Sequence, residues 1–146
     1  MGMPCMELRE TFELHIPSVL GFEKVAMEYA TSLAKMMNFP AQRIEDLKTA
    51  VAEACLNAIE HGNKLDAMTR VDVSFTVEPS TLRVAIRDVG TGIGQISPPS
   101  IEHTLAGKQR LRGWGIFLIK KLVDEVEFET RPGYGTVVRM ALHLPR

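Results

Sequence analysis

The segment from Arg70 to Ile86 constrains the fold more than any other part of the chain. Arg70-Val71-Asp72-Val73-Ser74-Phe75-Thr76-Val77 alternates strictly, with Val71, Val73, Phe75 and Val77 on one side and Asp72, Ser74 and Thr76 on the other. After the turn Glu78-Pro79-Ser80, Leu82, Val84 and Ile86 repeat the alternation. A period of two is the mark of a half-buried strand, and two such runs joined by a short turn form an antiparallel hairpin. A lone hairpin is marginally stable in water, so its apolar side needs a second layer of structure to cover it.

The flanking segments supply that layer. Residues 7–16 place Leu8, Phe12, Leu14 and Ile16 on one side of a further extended segment, interrupted by Glu10. After Pro17-Ser18, Phe22, Val25, Ala26, Tyr29, Leu33 and Met36 recur at helical spacing as far as Asn38, and Pro40 forces a restart. A second helix is predicted from about Ala41 to His61, its buried stripe made by Ile44, Leu47, Val51, Ala54 and Ala58. Gly62-Asn63 would end it in a left-handed cap. A third helix opens at Gly113-Trp114-Gly115, with Ile116, Ile119, Leu122 and Val123 on its apolar face. Two strands, about 125–130 and 135–144, are joined by Arg131-Pro132-Gly133-Tyr134. The order β-α-α-β-β-α-β-β predicts an α+β fold: a two-layer α/β sandwich with three helices on one face of a mixed, mainly antiparallel sheet. Residues 7–146 read as one domain, preceded by a Met-rich flexible terminus at 1–6. Residues 95–112 carry two prolines and no clear period, and read as a long loop of the kind that usually serves function.

Composition excludes several classes. The 17 Lys and Arg against 18 Asp and Glu leave a formal charge of −1, so no broad basic field exists for direct nucleic-acid wrapping. Cys5 and Cys55 do not form a disulfide scaffold and fit a reducing cytoplasm. No apolar run has the length of a membrane span, and the start of the chain has no export pattern. Gly2 is not a myristoylation site, because the sixth position is Met6 rather than Ser or Thr. The four histidines, His15, His61, His103 and His143, lack zinc spacing.

Three segments carry possible chemistry. Glu53 and Asn57, four residues apart on the second helix, share one face, with His61 continuing the line. An Asn amide oxygen suits Mg²⁺, which keeps several waters and takes other ligands from phosphates, while a carboxylate one turn away can orient a hydroxyl or water. Taken alone, Glu53 reads more simply as a solvated mid-helix carboxylate and His61 as a partner of the helix dipole. Gly90, Gly92 and Gly94 follow a strand, but their G-x-G-x-G spacing with Pro98-Pro99 beyond excludes a dinucleotide fingerprint. No G-x-x-x-x-G-K-[ST] phosphate loop occurs. Gly113 and Gly115 stand at a helix start, where free N–H groups favour an anion, and Arg110 and Arg112 lie just upstream.

Taken together these segments resemble a known set. Glu53-Ala54-Cys55-Leu56-Asn57-Ala58-Ile59-Glu60-His61-Gly62 resembles the N-box of the GHKL ATPases, Asp88-Val89-Gly90-Thr91-Gly92 their D-x-G-x-G box, and Gly113-Trp114-Gly115-Ile116 their second glycine box. Ala50-Val51-Ala52-Glu53-Ala54-Cys55 and the helix Ile116 to Val126 are most similar to the bacterial anti-sigma factor serine/threonine kinases of stress-response and sporulation partner switching. Each box alone is common; three in order, with a loop between the second and third, are specific.

The resemblance implies a Bergerat-type ATP-binding sandwich, with ATP and Mg²⁺ as cofactors. It implies that Asn57 holds the metal and that Glu53 is the catalytic base or orienter for a target serine. Asp88 would accept the adenine amino group, with Gly90, Gly92 and Gly94 in the base pocket and Thr136 supporting it. Residues 95–112 would form the ATP lid, and Gly113, Trp114 and Gly115 would lie at the phosphates. Leu111 stands where sporulation members carry an arginine near the terminal phosphate, a place that Arg110 or Arg112 would take. The implied function is an anti-sigma factor that phosphorylates a STAS-type anti-anti-sigma protein and sequesters a sigma factor, as a cytoplasmic homodimer. The alternative is an ATP-binding module that switches partners without phosphoryl transfer.

Overall fold

The structure, a computed structural model, describes residues 8–90 and 112–145. Among the described residues, five strands and three helices follow the expected order: β1 (Glu10–Pro17), α1 (Glu23–Met36), α2 (Ala41–Asn57), β2 (Arg70–Val77), β3 (Thr81–Arg87), α3 (Arg112–Leu122), β4 (Glu125–Arg131) and β5 (Gly135–His143). A single π-helical turn, Ala58–Gly62, extends α2. The sheet order is β1-β2-β3-β5-β4. Every strand pair is antiparallel, so the parallel component allowed for in a mixed sheet does not occur among the described residues. The α1–α2 pair returns the chain beside β1 in the opposite sense, and α3 carries it past β5 to the far edge.

Register turns the alternation into a core. Leu14, Val73, Ile86, Val138 and Phe128 align as one row across all five strands, and Phe12, Phe75, Val84, Met140 and Val126 as a second. Both rows face the helices, and a slip by one residue would turn either of them to solvent. Val71, Val73, Phe75, Val77, Leu82, Val84 and Ile86 are all buried, as the alternation predicts. Ala26, Ala30, Leu33 and Ala34 of α1 and Ile44, Leu47, Ala50, Val51 and Ala54 of α2 pack against them. At the edge strand β1 burial fades, and Phe12 is exposed while still reaching Tyr29, which stacks on Phe75 at 4.7 Å.

The ends of the helices set their placement. Asn38, at φ +64°, closes α1; its N–H donates to Lys35 O and that of Phe39 to Ala34 O, which satisfies two terminal carbonyls. Arg43 of α2 donates to the Leu122 carbonyl at 3.0 Å and pairs with Asp124 at 3.1 Å, fastening the C-terminus of α3 to α2. The start of α3 is thereby laid along the C-terminal half of α2. The expected left-handed cap at Gly62-Asn63 does not form. Asn63 has φ −98°, and the left-handed residues are Lys64 and Leu65, at φ +52° and +60°.

Candidate functional site

Glu53 and Asn57 project from one face of α2, and α3 brings Gly115 against both. A Cβ at position 115 would lie 2.9 Å from Asn57 Nδ2 and 3.1 Å from Glu53 Oε2, closer than ordinary contact. A methyl group there would push both side chains back, so the glycine of the third segment meets the carboxylate and amide of the first at its own α-carbon. Asn57 is buried and Glu53 half-buried. Cys55 between them faces the core; burial, reinforced by the Glu23 charge, pushes its thiol far above the ordinary range, so it stays protonated and is no nucleophile.

Asp88 follows β3 and is buried. Its N–H donates to Thr136 O at 3.1 Å, and its Oδ1 accepts from Thr136 N–H, also at 3.1 Å. Thr136 is itself buried, its hydroxyl 3.0 Å from that of Thr130. Three glycines close on this carboxylate. A Cβ at Gly62 would overlap it, and one at Gly135, at φ +107°, would overlap the Asp88 main chain. At Gly90, at φ +45°, a Cβ would meet Gly135 Cα at 2.5 Å and Asp88 Oδ1 at 2.9 Å.

The structure therefore gathers Glu53, Asn57 and Gly115 in one cluster, and Asp88, Gly90 and Thr136 in another. The π-helical turn connects the two, because it follows Asn57 directly and ends at Gly62 on the Asp88 carboxylate. Such turns arise where one extra residue is accommodated and often mark functional sites. Arg112 and Gly113 are the first residues of α3. Trp114 is exposed, its ring edge-on to Phe117 at 6.4 Å. Gly92, Gly94, Arg110, Leu111 and nearly all of the expected 95–112 lid lie outside the described residues, as does the expected flexible terminus at 1–6. Gly62, Asn63 and Gly135 are site residues that sequence reasoning missed. Their one legible signal is adjacency, since Gly62 ends the N-box and Gly135 precedes Thr136.

The donor set fits a Mg²⁺ ion brought in with a nucleotide. Among the described residues no group of three or more His, Cys, Asp or Glu side chains gathers to hold a metal alone. One buried amide beside a carboxylate, facing Gly115 at a helix start, suits a cation that draws its remaining ligands from phosphates and water. A separate groove of about 420 Å³ lies on the sheet face away from the helices, lined by Arg83, Arg139, Glu125 and Glu127 among others. It touches neither cluster.

Three helices covering one face of an antiparallel sheet, with a glycine helix start laid on an Asn and a carboxylate, define an α+β nucleotide-binding domain. The chain belongs to the histidine kinase-like ATPase domain family, whose profile it matches over residues 22–142. It is 28% identical over 137 residues to the serine-protein kinase RsbW of Oceanobacillus iheyensis, covering 90% of this chain and 85% of the relative. It is 30% identical over 142 residues to the anti-sigma F factor of Thermoanaerobacter sp. (strain X514), covering 95% and 97%. The RsbW of Bacillus subtilis (strain 168) is 29% identical over 127 residues, covering 83% of this chain and 79% of that protein. Among solved structures, the RsbU and RsbW domains of Rv1364c from Mycobacterium tuberculosis share the fold, with a TM-score of 0.68 at 16% identity. The match covers 94% of this chain but 32% of that longer one.

Proposed function

We propose that this chain is a Mg·ATP-dependent protein serine kinase acting as an anti-sigma factor. It phosphorylates a serine of a small STAS-type anti-anti-sigma protein and, in the alternate state, holds a sigma factor. The names of its relatives, serine-protein kinase and anti-sigma F factor, support this reading. The observation that carries it is the contact of Gly115 with both Glu53 and Asn57.

Each residue has a chemical task. Asp88 accepts a hydrogen bond from the adenine amino group; guanine would present a carbonyl oxygen to the same carboxylate and be rejected. Gly113 and Gly115 let phosphate oxygens approach the N–H groups at the start of α3. Asn57 would hold Mg²⁺ through its amide oxygen, and the ion would supply charge neutralisation at the phosphates. Glu53 orients the partner's serine hydroxyl and takes its proton. The serine oxygen bonds to the γ-phosphorus as the bond to the β,γ-bridging oxygen breaks, leaving phosphoserine and ADP. Positioning and charge stabilisation account for the rate without a covalent enzyme intermediate. The protein acts in the cytoplasm as a homodimer.

The test is incubation of the protein with γ-labelled ATP, Mg²⁺ and its STAS-type partner. Label on a partner serine is expected. Bound ATP without phosphoserine would overturn the kinase reading in favour of a module that switches partners without transfer.

A further inference from the structure

The residue after the adenine carboxylate is anchored by a side chain from elsewhere in the fold. Asn63, just beyond the π-helical turn, is only 3% exposed. Its Oδ1 accepts the Val89 N–H at 2.9 Å, while its Nδ2 donates to Ser18 Oγ at 2.9 Å and to the Arg70 carbonyl at 3.1 Å. Ser18 is fully buried, its hydroxyl lies 3.0 Å from that of Thr69, and its own N–H donates to Thr69 O. One amide thus uses both of its donors and its acceptor, and links the end of α2, the β1–α1 junction, the start of β2 and the chain leaving β3.

The two halves of that amide act on different things. The donors join structural segments. The acceptor reaches the peptide between Asp88 and Val89, whose side chain is exposed and cannot fix the backbone by packing. Thr136 restrains Asp88 from the β5 side through two hydrogen bonds, and Asn63 restrains the next N–H from the α2 side. Beyond lies Gly90, at a positive φ, where backbone freedom is greatest.

We propose that Asn63 is a purine-positioning residue: by holding the Val89 N–H it fixes the direction of the Asp88 carboxylate and so sets the preference for adenine over guanine. This rests on the nucleotide-binding reading above and assigns a specificity role to a residue that acts through the Asp88–Val89 peptide.

The experiment measures Mg·ATP and Mg·GTP affinities by calorimetry, with melting temperatures, for the full chain and for Asn63→Ala, Asn63→Asp and Ser18→Ala. Asn63→Ala, which frees the Val89 N–H, is expected to reduce the ATP-to-GTP affinity ratio about tenfold. Ser18→Ala cuts the donor side alone, and should lower the melting temperature while leaving the ratio within about twofold of wild type. Asn63→Asp retains an acceptor for Val89 and should retain most of the preference. An Asn63→Ala protein that is less stable but keeps the wild-type ratio would reduce Asn63 to a structural residue and overturn the inference. Where Asn63→Ala does not fold, Asn63→Asp decides alone, and loss of preference in it overturns the acceptor role. A wild-type protein that binds neither nucleotide removes the site reading itself, an outcome distinct from an unchanged ratio.

Discussion

Replacing Gly115 by alanine isolates the contact on which the kinase reading depends. The new methyl carbon would lie 2.9 Å from Asn57 Nδ2, 3.1 Å from Glu53 Oε2 and 3.2 Å from Asn57 Oδ1. Carbon contacts settle at roughly 3.5 Å or more, so both side chains must withdraw by about 0.5 Å. Two stability effects then oppose each other. Alanine in a helix gains up to about 1 kcal/mol over glycine, and forcing a methyl into a packed interface costs about 1–3 kcal/mol. The net change is a loss of about 0–2 kcal/mol, which leaves the protein folded. Catalysis suffers more: a misplacement of about 1 Å costs on the order of 100-fold in rate, so one of about 0.5 Å is expected to cost about tenfold. Thermal melting, Mg·ATP calorimetry and the initial rate of phosphoserine formation measure the three quantities separately. A Gly115→Ala protein with the wild-type transfer rate would refute the reasoning.

Three further substitutions address the other groups. Glu53→Gln should leave Mg·ATP affinity within a few-fold of wild type while lowering phosphoryl transfer about 100-fold or more, read from single-turnover kinetics. Asp88→Asn should weaken ATP and improve GTP binding in the same calorimetric titration. Its oxygen would stay on the Thr136 N–H and turn the NH₂ toward the base. Glu60 has its pKa raised above its ordinary value of 4.5, first by burial and then by the Glu23 charge. The folded state therefore holds this proton more tightly than the unfolded chain, and stability falls as pH rises from about 4.5 through the raised value. Melting curves from pH 4 to 8 should show that fall reduced in Glu60→Gln; parallel curves would contradict the assignment.

The sheet was legible in the sequence because alternation is a local property, visible at Val71 to Val77 and at Leu82 to Ile86 without knowledge of partners. The stripes of α1 and α2 were legible for the same reason, and so was the face shared by Glu53 and Asn57. What escaped depends on distant approach. Gly62 reads as a helix terminator, yet its small size is demanded by the carboxylate of Asp88, 26 residues further on. The left-handed turn falls on Lys64 and Leu65, residues with no local preference for it, and no spacing announces the π-helical turn before them. Asn63 reads as part of a cap, but its amide is consumed by Ser18, Arg70 and Val89. Its role became visible only once four separated segments lay together. The resemblance of the three boxes implied the site roles; the fold shows that Gly62, Gly90 and Gly115 each stand where a Cβ would crowd Asp88, Asn57 or Glu53.

The most direct measurement of the account is a crystal structure of the protein with a non-hydrolysable ATP analogue and Mn²⁺, with anomalous difference density locating the metal. The purine amino group is expected on the Asp88 carboxylate, the phosphates at the start of α3, and the anomalous peak beside Asn57. Nucleotide bound instead in the groove between Arg83, Arg139 and Glu127, or a metal peak away from Asn57, would contradict it.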